Sequence, residues 1–171
     1  MNKLRLLAAA ALFLFVIPKI LLYVGESLDL YVIPASTLQP IHLAGVPVLL
    51  AGFLLSVASI WQLYSLGSGM PWGDVAEDSQ SSRLVTGGLY RYTRNPMLLG
   101  YGLFMMGVGL IYGSFTTAFI LPTLLVAAVS LWIKRKEEPE LVKRFGQEYI
   151  IYRDETPFII PRNPGKRLTE H

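Results

Sequence analysis

The chain has 171 residues, 53% of them hydrophobic and 16% charged, with a formal net charge of +3 at neutral pH. That balance is too apolar for an ordinary small soluble domain and points to an integral membrane protein, a single domain by its length. The absence of cysteine excludes disulfides, thiolate metal sites and cysteine nucleophiles, and two histidines, His42 and His171, give no basis for a metal cluster. No metal and no nucleic-acid partner are expected.

Leu4 to Val24 reads as a first span, interrupted by Arg5, Pro18 and Lys19. A signal peptide is the alternative, since Lys3 and Arg5 precede an apolar run with small residues. The continuation of that run past Lys19 favours a retained span, bent at Pro18. Gly25 is expected to close it. Glu26 to Pro40 is then an acidic connection whose Leu28, Leu30, Tyr31, Val32 and Ile33 suit the membrane surface. A second span runs from about Ile41 to Leu66. At 1.5 Å per residue it reaches about 39 Å, beyond a hydrocarbon core of about 30 Å, so it tilts or projects.

From Gly67 to Asn95 the chain is polar and glycine-rich, a length of connection that is usually functional or disordered. Met97 to Tyr112 forms a short third span and Phe115 to Ile133 a fourth. Gly113 and Ser114 are the only clear separation, which predicts an antiparallel helical hairpin. Gly100, Gly102, Gly107 and Gly109 are small residues of the kind that let membrane helices approach closely.

Lys and Arg fix the orientation. Two lie at the start of span one, three in the Gly67–Asn95 connection and nine after span four, fourteen of the fifteen in the chain. The last, Lys19, lies within span one. The positive-inside rule therefore puts both termini and the central loop in the cytoplasm of an inner-membrane, multi-pass protein. The expected fold is all-α, an integral membrane bundle of about four transmembrane helices with a C-terminal cytosolic helix. Its segments are residues 1–66, 67–96, 97–133 and 134–171 of one domain.

Two stretches carry chemistry. In Leu84 to Gly100 a polar, arginine-bearing turn leads into an apolar segment. Gly87 and Gly88 permit a sharp turn, Tyr90 and Tyr92 suit the membrane boundary, and Pro96 fits a first helical turn. Arg91 and Arg94 share a face if helical, and either a ligand anion or a lipid headgroup accounts for them. In the tail, Pro139 is expected to break or bend the last span at Glu138. Beyond it Leu141, Phe145, Tyr149 and Tyr152 fall on one face of a predicted helix. Glu137, Glu138 and Glu140 read either as favourable charge at a helix start or as carboxylates reaching a ligand beside Arg94.

These stretches resemble the isoprenylcysteine carboxyl methyltransferase family, related to the phospholipid N-methyltransferases. The resemblance is carried by Gly88-Leu-Tyr-Arg-Tyr-Thr-Arg-Asn-Pro-Met-Leu-Leu-Gly100, Glu137-Glu-Pro-Glu-Leu141, Phe145-Gly-Gln-Glu-Tyr-Ile-Ile-Tyr152 and Pro157-Phe-Ile-Ile-Pro161, with Gly67-Ser-Gly-Met-Pro71 similar to a loop of bacterial members. It implies S-adenosylmethionine as methyl donor, in a cytosol-facing pocket that lipid substrates enter from the bilayer. Carried over by position, Tyr90, Arg94, Asn95, Pro96 and Gly100 form one wall and Glu137, Glu138, Glu148, Tyr149 and Tyr152 the other. Arg94 and Glu138 are the implied catalytic pair. The acceptor implied is the carboxylate of an isoprenylcysteine-like or other amphipathic molecule. Alternatives are a phospholipid amine, a hydrophobic thiol, or a non-catalytic lipid-binding or scaffold role; oligomeric state is left open. A carboxylate is already ionised at neutral pH and needs no base. Two departures stand out. Asn95 replaces the histidine of many eukaryotic members, and Glu155, Thr156, Pro157 and Phe158 occupy positions where members often carry arginine, leaving Arg153 and Arg162 nearby.

Overall fold

The structure is a computed structural model describing residues 8, 10–32, 42–67 and 83–163. The described residues form helices and connecting turns, with no strand among them. A π-turn at Leu12–Val16 leads into α1 (Ile17–Val32), followed by α2 (His42–Gly67), a 3₁₀ turn at Gly88–Arg91 and α3 (Pro96–Tyr112). A second π-turn (Thr116–Ile120) opens α4 (Leu121–Trp132), a third (Ile133–Glu137) joins it to α5 (Glu138–Phe145), and α6 (Gln147–Glu155) ends the series. The bacterial-type stretch after Gly67, with Trp72, Asp74, Glu77 and Asp78, lies outside the described residues, as do Lys3, Arg5 and the extreme C-terminus.

Among the described residues two helices are long and apolar enough to cross a membrane, His42–Gly67 and the continuous Thr116–Phe145. Of their most apolar stretches only 17% and 28% is buried within the protein, where the core helix of a soluble domain would be mostly covered. Leu43, Leu50, Leu54, Trp61, Leu124 and Leu131 are exposed. Pro96–Tyr112 is a shorter apolar helix. The all-helical class among the described residues is thus as expected.

The chain divides into two compact units, Met1–Leu54 with Gly100–Ala127, and Leu55–Leu99 with Ala128–His171. The first is held by small residues. A Cβ on Gly109 would come within 2.2 Å of the Ala118 backbone nitrogen, and one on Gly107 within 2.4 Å of that of Leu49. Between helices in lipid there is no hydrophobic gain to win, so backbone proximity is the main source of attraction. Gly113, at φ +72, makes the expected hairpin turn, with its N–H and that of Ser114 bonded to Leu110 and Gly109 carbonyls. Met105 is fully buried beside Phe104 and Val108, with Leu14, Leu21 and Leu49 packed around them.

Three expectations about element ends need correction. Gly25 does not close the first helix, which continues to Val32; Gly25 is buried where a Cβ would lie 1.9 Å from Thr117 Oγ1, so it serves close approach. Glu26 and Asp29 are therefore helical, and the Asp29 carboxylate accepts from the Thr116 N–H (3.0 Å) and hydroxyl, satisfying donors at the start of the fourth helix. Pro139 does not break the last span. The preceding residues widen into a π-turn that absorbs the missing N–H, and the helix continues to Phe145. The tail is not one helix either. Gly146, at φ +57, separates α5 from α6, so Leu141 and Phe145 sit on a different helix from Tyr149 and Tyr152.

Candidate functional site

The arginine-bearing loop is pinned from both ends of the sequence within the second unit. On one side stands a polar row on α2, Ser56, Ser59 and Gln62, spaced three apart and so on one face. Gln62 Oε1 accepts the Leu89 N–H at 2.9 Å and its Nε2 donates to the Gly87 carbonyl at 3.4 Å. Ser56 donates to the Met97 carbonyl at 3.3 Å, and the Tyr90 hydroxyl donates to the Ser59 carbonyl at 3.4 Å. Gly88, at φ +56, turns the chain against Gln62, whereas Gly87 is extended.

On the other side the segment after α6 acts as a strap. The Arg94 N–H donates to the Pro157 carbonyl at 2.9 Å, and Thr93 Oγ1 and Asn95 Nδ2 both donate to the Phe158 carbonyl, at 3.2 and 3.0 Å. The Arg162 N–H closes the strap on the Tyr92 carbonyl at 3.1 Å. Arg94 is consequently held by its backbone, by Nε on the Thr156 carbonyl at 3.0 Å, and by an ion pair from Nη1 to Glu138 Oε1. The two charged side chains are only 12% and 14% exposed. The Arg94 guanidinium carbon and Lys134 Nζ lie 5.3 and 4.7 Å from the centre of the Phe158 ring, a cation–π arrangement for both.

Tyrosines complete the cluster. Tyr149 and Tyr152 are buried with ring centres 6.2 Å apart, and the Tyr152 hydroxyl donates to the Tyr90 carbonyl at 2.7 Å. Burial pushes the Tyr149 phenol up to about 12, reinforced by the Glu138 carboxylate and opposed by a hydrogen bond from Arg94. Tyr152 is raised by burial and then by Tyr90 and Tyr149, and Tyr90 by burial and then by Glu137. These phenols are neutral near pH 7, so they act as hydrogen-bonding groups and ring faces.

Of the residues singled out from sequence, the structure brings together Tyr90, Arg94, Asn95, Glu137, Glu138, Tyr149 and Tyr152. Pro96 is fully buried at the start of α3. Gly100 is buried one turn further on, its carbonyl facing Gly52 in a helix contact. Glu148 is exposed, and Arg91 stacks on its exposed neighbour Tyr92 at 5.6 Å. Sequence reasoning missed Ser59, Gln62 and Lys134, and it noted Thr156 and Phe158 without giving them a role in the site. The row Ser56, Ser59, Gln62 was discoverable, as polar residues at helical spacing inside an apolar helix mark a docking face. One further atom is unusual: Thr156 Oγ1 is buried without a hydrogen-bond partner.

The model of the family described as phospholipid methyltransferase matches residues 40–148, well over half of the chain. The chain belongs to the phospholipid methyltransferase family. Its family region takes in α2, the pinned loop, α3, the Thr116–Phe145 helix and the start of α6. Arg94 and Glu138 lie inside it, and the strap lies past its end. Among curated relatives, the protein-S-isoprenylcysteine O-methyltransferase of Schizosaccharomyces pombe is 35% identical over 81 residues, 47% of this chain and 34% of that protein. The chain thus matches about a third of that relative's length. No solved structure matches it.

Proposed function

We propose that this phospholipid methyltransferase family member is an integral-membrane enzyme that uses S-adenosylmethionine to methylate the carboxylate of an isoprenylcysteine-like or other amphipathic acceptor. The observation that carries the reading is the Arg94–Glu138 pair, a little-exposed cation and anion side by side. That donor set fits the amino-acid end of the methyl donor. Arg94 suits its carboxylate, Glu138 its ammonium, and the Tyr149 and Tyr152 faces suit an adenine or a sulfonium. When bound, S-adenosylmethionine supplies a methyl group on a cationic sulfur, ready for in-line displacement.

The chain's own contribution is positioning. The strap fixes the Arg94 backbone, Gln62 fixes the turn that leads to it, and Arg94 fixes Glu138, so the charges are set before a ligand arrives. No general base is required for a carboxylate acceptor. The site tyrosines are neutral, and Glu138 Oε1 is engaged by Arg94. Lysine and arginine placement supports a site on the cytosolic face of a multi-pass bundle of four spans, with both termini on that side. The family's description favours a second reading, a phospholipid amine as acceptor, and that reaction would need a group to take up a proton.

Calorimetric titration of S-adenosylmethionine into detergent-purified protein tests the proposal, with Arg94→Ala beside it. Saturable binding weakened at least tenfold in the variant is the expected result. Methyl transfer to N-acetyl-S-farnesylcysteine, absent with phosphatidylethanolamine, then selects the carboxylate acceptor. A folded protein that binds no donor, with or without lipid, overturns the enzyme reading in favour of a scaffold.

A further inference from the structure

We infer that the Thr156 hydroxyl is a ligand contact, donating a hydrogen bond to a carboxylate held beside Arg94; the inference rests on the donor-site reading above. Thr156 ends α6 in an extended conformation and is 2% exposed. Its main chain is fully used. The N–H donates to the Tyr152 carbonyl at 2.9 Å, and the carbonyl accepts from Arg94 Nε at 3.0 Å. Its hydroxyl oxygen, sealed from solvent, has no partner at all.

An unpartnered buried hydroxyl is costly, and packing does not explain it. Valine has the same shape, suits the same extended backbone and carries no polar atom. The hydroxyl therefore makes sense when something supplies its partner. The neighbourhood says what kind. The residue is locked to Arg94 twice, through its own carbonyl and through the Pro157 carbonyl on the Arg94 N–H. Phe158, two residues on, lies against both Arg94 and Lys134. The charged groups of the cluster are thus Arg94 and Lys134 with Glu137 and Glu138, of which Glu138 pairs with Arg94. A hydroxyl donor next to a guanidinium favours an oxyanion, and a cation placed there would meet Arg94.

Two molecules of the proposed reaction bear a suitable carboxylate, the methionyl end of the donor and the cysteinyl end of a prenylated acceptor.

Thr156→Val and Thr156→Ser separate the possibilities. Calorimetry with four probes is informative: S-adenosylmethionine, its decarboxylated analogue, N-acetyl-S-farnesylcysteine and the methyl ester of the last. The expected result is that Thr156→Val weakens one carboxylate-bearing probe about tenfold, leaves its carboxylate-free counterpart unchanged, and does not lower the unfolding temperature. Thr156→Ser should restore binding. Which probe responds identifies the source of the carboxylate. Equal binding of all four to Thr156→Val and wild type overturns the inference and leaves the donor site standing. So does a uniform loss of every probe with lowered stability, which would mark the hydroxyl as structural, for instance the seat of a buried water. Failure of wild type to bind any probe overturns the donor-site reading itself, and the Thr156 contact with it.

Discussion

Tyr90, Tyr149 and Tyr152 are three of the nine tyrosines in the chain, and their phenols are all raised by burial. An unfolded tyrosine ionises near 10. Tyr149 does so at about 12, and the other two are displaced in the same direction. Because the folded state favours the protonated form, these phenols contribute stability that is whole below about pH 10. That contribution is lost as the pH climbs from there through about 12. In an alkaline titration followed by phenolate absorbance, the site tyrosines should therefore ionise later than an unfolded tyrosine, or together with unfolding. A single midpoint near 10 for all would mean that the cluster is open to water. In either outcome tyrosine ionisation predicts no limb in a pH–activity profile below about pH 9, since the phenols hold their protons there.

Between residues and helices the decisive quantity is how closely two backbones meet. Gly109 and Gly87 look alike in sequence, but they do different work. A Cβ on Gly109 would strike the Ala118 backbone nitrogen at 2.2 Å, and no side-chain rotation relieves a backbone clash. Gly87 is extended, and a methyl group added there would meet nothing within 4 Å. Gly109→Ala should therefore cost about 3 kcal/mol, near the upper end for overpacking. Gly87→Ala should stay within about 0.5 kcal/mol, as expected for an unencumbered surface change. Reversible unfolding in mixed detergent measures both. Equal effects would refute the close α3–fourth-helix contact. The pair also shows where the sequence is readable. The hairpin at Gly113–Ser114 and the start of α3 at Pro96 follow from apolar runs and turn residues. Gly25 reads as a terminator and Pro139 as a break or bend, and neither ends its helix, because a glycine or proline signals a break only when nothing else compensates. At Gly25 the compensation is a helix packed against it, and at Pro139 it is a π-turn, and neither is visible in one dimension. Gly146 does end a helix, but a helical period running through Phe145 and Tyr149 conceals it.

For the whole molecule, composition and lysine–arginine placement establish the all-helical, membrane-type character, and the motifs bring out Arg94 and Glu138. What they lack is the strap, whose contacts are mostly through carbonyl groups of Thr156, Pro157 and Phe158 and so leave little side-chain signature. The same charge pattern makes a statement about membrane sidedness that can be tested cleanly, because the chain has no cysteine to mask. Tyr112, exposed at the end of α3, and Asp154, exposed on α6, are separated by the 30-residue Thr116–Phe145 helix. At 1.5 Å per residue that helix is about 45 Å long, enough to cross a core of about 30 Å and project beyond it. A single crossing by that helix predicts that Tyr112 and Asp154 are reached from opposite sides. The run from Pro96 to Ile133 contains no lysine or arginine and nine follow it, so the positive-inside rule predicts the Asp154 side to be cytoplasmic. In Tyr112→Cys, a membrane-impermeant maleimide should label intact cells and not inverted vesicles. Asp154→Cys should show the reverse. Labelling of both from one side would remove the crossing, and labelling of Asp154→Cys alone in intact cells would invert the protein, placing the Arg94–Glu138 site away from the cytosolic supply of methyl donor.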